Sequence, residues 1–413
     1  MAPIGMVMAM CTVPGQSVGV AAFNQSLRTD LQLSASQLAG AYALGTILAS
    51  LLLPLAGAAI DRFGLRRTLL FVAPAFCAAC CFISTVTGLI SLFAAFLMLR
   101  LFGQGILTLC SQNTLAMWFD KRLGRVAGIT STFVTLFMAA SPLLLRSAIE
   151  QYGWRTTYQG LGFTVLLVLL PLLLIYKNQP EDIGQLPDGK ITDVPDDATE
   201  EPPEIEGLTF PEAMRHLSYW ILIGLNIIWS MVGTSLIFDV QSLSQKMLGA
   251  EGFISPWGTI PTDAANTCFF VAVGLMNFVG GFLADKFAPT RLLRIAIFGM
   301  ICGLSILLFG SGIAFFGAYC VYGLSQGLLA AVSRTIWPRF LGRAHLGKIR
   351  GGSMMAMVAG SSLGPLLMGF AFDQTGSYQI PLTAFAVLTT AGFCAAWFIR
   401  SPRNEWKGSL AEI

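Results

Sequence analysis

The chain has 413 residues, of which 55% are hydrophobic and 11% charged, less than half the roughly 25% charge of an ordinary soluble domain. Mean hydropathy is +0.70, which excludes a large water-soluble enzyme, and a formal net charge of +3 is too small for a nucleic-acid binder. The two histidines, His216 and His345, lie far apart, so neither a metal site nor a cofactor is expected.

A hydrocarbon core about 30 Å thick needs about 20 apolar helical residues. Twelve such runs are predicted, at 4–26, 38–60, 68–87, 92–118, 125–148, 158–177, 217–240, 263–285, 291–313, 314–337, 349–372 and 379–400. The first is too long, and too little followed by small residues, to read as a signal peptide. Gln16 and Phe23 fall on one side of it. The third holds Cys77, Cys80 and Cys81 with no His or acid beside them, which reads as packing by small hydrophobes.

Polar residues inside such runs are costly and therefore informative. In the fourth run Arg100, Gln104, Thr108 and Ser111 follow helical spacing on one face. The seventh offers Asn226, Trp229 and Gly233, and the eighth Asn266, Phe270 and Asn277. In the tenth, Tyr319, Tyr322, Gln326 and Ser333 share a face, with Arg334 at its edge. Two readings stand for each: contact with a solute, or hydrogen bonding between helices. Arg334 and Arg146 lie close to predicted span ends and can snorkel to an interface. Arg100 lies about 12 Å deep at ~1.5 Å per residue and needs a partner, a wet cavity or an anionic ligand.

Charge placement sets the expected topology. If the loop after the second run faces the cytoplasm, that side holds 19 of the 25 basic residues and the other side three, Arg28, Arg155 and Lys246. This is a strong positive-inside bias, and it predicts a multi-pass protein of the plasma membrane with both termini cytoplasmic. Residues 178–216 hold eleven of the 22 acidic residues and six prolines. They read as a solvated cytoplasmic linker between an N-terminal six-helix bundle, 1–177, and a C-terminal bundle with a short tail, 217–413.

The two halves repeat one another. Gly57-x-x-x-Asp61-Arg62 recurs as Gly281-x-x-x-Asp285-Lys286, and Gly103-Gln104-Gly105 as Ser325-Gln326-Gly327. Gly124-Arg125 matches Gly347-Lys348, and Glu150-Gln151-Tyr152-Gly153 matches Asp373-Gln374-Thr375-Gly376. The offsets stay between 222 and 224 residues, as expected for two parallel repeats of a transporter.

Gly57-Ala-Ala-Ile-Asp61-Arg62-Phe-Gly64-Leu-Arg66-Arg67 resembles the signature loop between spans two and three of the major facilitator superfamily. Arg100-Leu-Phe-Gly-Gln104-Gly105 resembles its fourth-span motif, with one extra residue between the Arg and the Gln. Pro14-Gly-Gln16, Trp118-Phe119-Asp-Lys-Arg, Gly153-Trp154-Arg155, the stretch Pro180-Glu-Asp-Ile-Gly184-Gln-Leu-Pro-Asp-Gly189 and Trp337-Pro-Arg339 narrow the likeness to bacterial relatives of monocarboxylate carriers and oxalate/formate antiporters.

The resemblance implies an all-α membrane protein of twelve spans in two pseudo-symmetric six-helix bundles. It also implies that spans one, four, seven and ten line a central cavity, and that Gly57, Asp61, Arg62, Gly64 and Arg66, with Asp285 in the second repeat, form a gate latch. Ordinary positive-inside anchoring explains the arginines but not the repeated acid. Two departures from the carboxylate carriers argue against oxalate and against a proton-coupled lactate mechanism. The eighth run has no basic residue before Lys286, and the eleventh-span lysine linked to oxalate recognition is missing.

The ranking that follows places a secondary or facilitative transporter of a small organic anion first. Its candidate contacts are Gln16, Arg100, Gln104, Asn226, Trp229, Asn277, Tyr319, Tyr322, Gln326 and Arg334. A carrier of a zwitterionic or amphipathic metabolite comes second, and a non-transporting sensor third. No nucleotide loop, nucleophile elbow or zinc-protease motif is present in the sequence, so no enzymatic activity is expected. The expected partners are the small-molecule substrate, membrane lipid and either a coupling proton or a counter-substrate, with the chain acting as a monomer.

Overall fold

In hydrocarbon a helix satisfies its own backbone polar groups, and the apolar runs of this chain fold accordingly. A computed structural model describes residues 1–33, 35–191, 207–238, 240, 243, 253–255, 258–260, 264–310 and 312–402. Asp239, Asp263, Lys246, the linker segment 192–206 and the tail after 402 lie outside the described residues, as does the side chain of Asn266.

Among the described residues nine helices are long and apolar enough to cross a membrane, and Gly40–Leu51 and Gln379–Ala395 are shorter apolar helices. The first predicted span is built from Ala2–Met10, a 3-10 turn Val13–Gly15, and Ser17–Asp30. Together these elements occupy the twelve predicted runs. Large apolar side chains such as Leu55, Leu167, Leu174 and Phe370 are exposed, as expected of faces solvated by lipid rather than water.

Helix ends differ from the sequence reading in ways that matter. The second and third runs join in Leu53–Ile83, which leaves helical geometry at Gly64, where φ is +79° and ψ 161°. A left-handed φ favours glycine, so Gly64 is the corner between the two spans. Asp61 sits in the turn just before it. The fifth run extends to Tyr152 and closes on Gly153 at φ +76°, and the eleventh extends to Thr375 and closes before Gly376 at φ +64°. The repeated Gly153 and Gly376 are thus helix C-caps. The tenth run continues to Leu341, which leaves Arg334 two turns inside the helix rather than beside its end.

The described start of the acidic linker is folded rather than a plain connector. Residues 180–183 form a 3-10 turn, and Gln185–Leu186 pairs with Lys190–Ile191 in a hairpin. A second hairpin joins Phe253–Ser255 to Gly258–Ile260.

The chain divides into two compact units. One comprises Met1–Val126, Phe133–Phe210 and Trp337–Met355; the other comprises Ala127–Thr132, Pro211–Ile336 and Ala356–Ile413. Each unit thus includes a short segment from the opposite sequence repeat. Glycines explain both exchanges. In the first unit a Cβ on Gly57 would lie 2.1 Å from the Gly347 carbonyl oxygen, and one on Gly351 would lie 2.4 Å from that of Leu53. In the second, a Cβ on Gly128 would lie 3.1 Å from the Gly281 Cα. Gly57 repeats as Gly281, and Gly351 stands 223 residues from Gly128. The same close helix contact is therefore built twice with the roles of the repeats reversed. In the first unit the core is dense: Phe23 stacks on Tyr158 at 3.9 Å, and Cys77 and Cys80 pack on Gly162.

Candidate functional site

The first site begins with a broken helix. Pro14 has no N–H and cannot continue the helix before it, so the first span turns through Val13–Gly15 and restarts at Ser17. The freed Gly15 carbonyl accepts a hydrogen bond from Arg100 Nη1 at 3.1 Å. Gly15 lies directly on the fourth span, since a Cβ there would come 2.3 Å from the Leu99 carbonyl oxygen. Opposite the break the fourth span is itself irregular. Arg100–Leu107 is wound as a π-helix, a local widening frequent at functional sites.

Arg100 is 6% exposed. Its Nη1 also reaches Ser17 Oγ at 3.3 Å, its guanidinium carbon lies 5.0 Å from the Tyr42 ring centre, and Tyr42 Oη donates to Ser17 Oγ at 2.8 Å. Among the described residues the charge is thus compensated by a carbonyl, a hydroxyl and an aromatic face rather than by an acid. Arg100 Nε, Gln104 Oε1 and Thr108 Oγ1 are buried with no hydrogen-bond partner among the described residues. Ser111, the fourth member of that stripe, donates to the Gly5 carbonyl at 2.7 Å and is a helix-packing bond. Gln16 folds back to donate to Thr12 Oγ1 at 3.1 Å.

Beside this cluster is a cavity of about 360 Å³ lined by Ser17, Val20, Asn24, Arg28, Leu38 and Tyr42, among others. The residues lining it include one cation and no carboxylate. Ser17, Asn24 and Arg28 recur at helical spacing and present one face to it.

The second unit gathers the remaining candidates. Gln326 Nε2 donates to the Trp229 carbonyl and to Tyr322 Oη, both at 3.3 Å, and it lies over Gly233, where a Cβ would meet it at 2.3 Å. Tyr319 and Tyr322 are 1% and 0% exposed, and Tyr319 Oη donates to the Leu236 carbonyl at 2.9 Å. As placed, both hydroxyls are engaged by the protein. Arg334 Nη1 donates to Asn277 Oδ1 at 3.0 Å. Asn226 is buried and Trp229 partly exposed. Gln16, Arg100 and Gln104 belong to the first unit; the other seven candidates belong to the second.

The signature loop forms a separate cluster in the first unit. Asp61 Oδ1 accepts the Gly347 backbone N–H at 2.7 Å, and Oδ2 that of Lys348 at 2.8 Å. These are amides in the first turn of the helix Leu346–Thr375, where the helix dipole favours an anion. Arg66 donates its backbone N–H to Asn178 Oδ1 at 2.8 Å and its Nε to the Leu173 carbonyl at 3.2 Å. Arg62 stacks on Phe63.

The linker stretch 178–189 fastens the same end of the unit. Asn178 packs on Gly64, and Glu181 Oε1 pairs with Arg343 Nη1 at 3.1 Å. Asp188 accepts the backbone N–H groups of Lys121 and Arg122 at 2.8 and 3.2 Å. Arg343 Nη2 also donates to the Met117 carbonyl. A cavity of about 190 Å³ lies between these groups, lined by Asp61, Asn113, Asn178, Asp182 and Arg343, among others.

Sequence reasoning missed Ser17, Asn24, Arg28 and Tyr42, whose convergence requires the bend at Pro14-Gly15. It also missed Glu181 and Arg343, since the acid was counted within the linker and the Arg with the positive-inside residues.

A family model described as Major Facilitator Superfamily matches residues 5–262 and 259–412. The probable L-galactonate transporter of Escherichia coli (strain K12) is 23% identical, covering 92% of this chain and 85% of its own length. Human monocarboxylate transporter 11 is 25% identical over 82% of this chain and 69% of its own. The Escherichia coli fucose:proton symporter superposes with a TM-score of 0.67 at 13% identity, covering 96% of this chain and 97% of that one, which shows a shared fold.

Proposed function

The chain belongs to the Major Facilitator Superfamily, and on that premise we propose that its cargo is a small organic anion of the monocarboxylate kind, moved by alternating access. Membership makes the protein a multi-pass membrane transporter of small solutes, not an enzyme. One observation supports the anion: the first-unit cavity presents Arg28 and Ser17, has no acid in its lining, and is backed by the buried guanidinium of Arg100. Such a site favours negative charge, because a cation with no paired acid leaves its field uncancelled in a low-dielectric wall. The names of the two relatives, a galactonate and a monocarboxylate transporter, point to the same chemistry.

Gln16 and Gln104 are proposed to support the cavity from behind. In the second unit, Trp229, Asn226 and Arg334 with Asn277 are proposed as solute contacts, while Tyr319, Tyr322 and Gln326 hold the helices around them. A thermal-stability panel tests the cargo class. Purified protein is expected to gain stability with lactate, pyruvate or gluconate and to gain none with choline, alanine or xylose. Stabilisation by alanine or choline alone would favour the zwitterionic or amphipathic alternative and remove the anion.

The 19-to-3 distribution of basic residues supports a cytoplasmic side that holds both termini, the linker and the Asp61 cluster. An impermeant thiol reagent applied to intact cells is expected to label a cysteine placed at 255 and not one at 196. Labelling at 196 alone would invert the topology.

A further inference from the structure

We infer that the Ser17 hydroxyl is the donor that meets the carboxylate of the cargo, with Arg100 and Tyr42 acting through it as positioning residues; this rests on the anion reading above. A hydroxyl has one proton to give and two lone pairs. Both lone pairs of Ser17 Oγ are taken, one by Tyr42 Oη–H at 2.8 Å and the other by Arg100 Nη1–H at 3.3 Å. No hydrogen bond of the described residues uses Ser17 Oγ as donor. Its proton is therefore the free valence, and Ser17 is an exposed residue in the cavity wall. The group shown to a solute is thus a donor, and two incoming hydrogen bonds, one from a cation, strengthen it.

The surroundings fit the same ligand. Ser17 is the first residue of the helix Ser17–Asp30, whose cap residue Gln16 makes no side-chain bond to the helix start. The positive end of that helix dipole therefore faces the same region. Arg100 Nε, buried and unpartnered, adds charge behind the wall. Asn24 and Arg28 lie two and three turns along the same face, spaced to meet the far side of a small solute, with Val20 and Leu38 flanking its carbon skeleton. The ligand class is a carboxylate of a few carbons, one of whose oxygens accepts from Ser17.

The test places a cysteine at the site by Ser17→Cys in protein whose nine native cysteines are replaced, reconstituted in liposomes. It is treated with an anionic methanethiosulfonate, the sulfonatoethyl reagent, and with the cationic trimethylammonium-ethyl reagent. Each forms a mixed disulfide with the thiolate and releases methanesulfinate. After correction for their rates with free thiol, the anionic reagent is expected to react about tenfold faster or more, as charge focusing in a cleft allows. Arg100→Lys should keep that preference and Arg100→Gln should erase most of it, a response that a purely structural Arg would not give. In the wild-type background Ser17→Ala should weaken binding of the stabilising carboxylate by roughly tenfold, the weight of one hydrogen bond to a charged group. Equal reagent rates, or unchanged affinity in Ser17→Ala, overturn the role of Ser17 while carboxylate stabilisation of the wild type keeps the anion reading. Failure of all three panel carboxylates to bind the wild type overturns both.

Discussion

Asp61→Asn is expected to slow solute exchange in proteoliposomes by about tenfold or more, since one charge-assisted hydrogen bond is worth ~1.5–3 kcal/mol and 1.36 kcal/mol is tenfold in rate. The carboxylate holds two backbone amides at the start of the helix Leu346–Thr375, at 2.7 and 2.8 Å. An asparagine keeps one acceptor and turns an NH₂ group toward the other N–H. The conformation that relies on this contact is then depleted, and a transport cycle can run no faster than its scarce state allows. Solute affinity should change little, because Asp61 is outside the Ser17–Tyr42 cavity. Asp285→Asn is expected to be milder, as the second copy lacks the Gly-Leu-Arg-Arg run that Asn178 and Leu173 bind in the first. Wild-type exchange rates in both variants would remove the latch role.

Arg100→Gln is expected to lower both stability and carboxylate affinity. The guanidinium supports the break in the first span as well as the cavity wall. Losing it strands the buried Gly15 carbonyl, a penalty of about 1–3 kcal/mol that should appear as a lower melting temperature in detergent. Arg100→Lys keeps the charge but not the fork that reaches Gly15 and Ser17 together. It is expected to melt nearly as low as Arg100→Gln while binding carboxylate better. Equal affinity in the two variants, once both are monodisperse, would confine Arg100 to structure.

Much of this was legible in the sequence because a bilayer leaves few choices. Runs long enough to span it had to be helices, and Gly57 and Gly281 could be matched as repeats, although the close helix contacts they make show only in the structure. The repeated Gly153 and Gly376 could be matched but not explained until their positive φ showed them to be caps. Arg100 could be read as buried and in need of a partner, yet the partner was a backbone carbonyl, which no side-chain pattern announces. The polar stripes carry two readings for a physical reason. Helical spacing tells which residues share a face but not what that face meets, so Ser111 and Tyr319 share a pattern with Gln104 while donating to carbonyls of neighbouring helices. Ser17 and Tyr42 escaped notice because their meeting depends on the break at Pro14-Gly15, which spacing along the sequence does not show. Glu181 was hidden by composition, since eleven acids in one linker look alike until one of them pairs with Arg343.

The central claim, carriage of a small organic anion, is met most directly by counterflow in proteoliposomes. Purified protein is reconstituted with lactate, gluconate or xylose inside and a trace of the labelled compound outside. Internal carboxylate is expected to drive uptake of labelled carboxylate, with Ser17→Ala reducing it and internal xylose driving nothing. Counterflow of xylose, or of choline tested in the same way, with no carboxylate exchange would contradict the account.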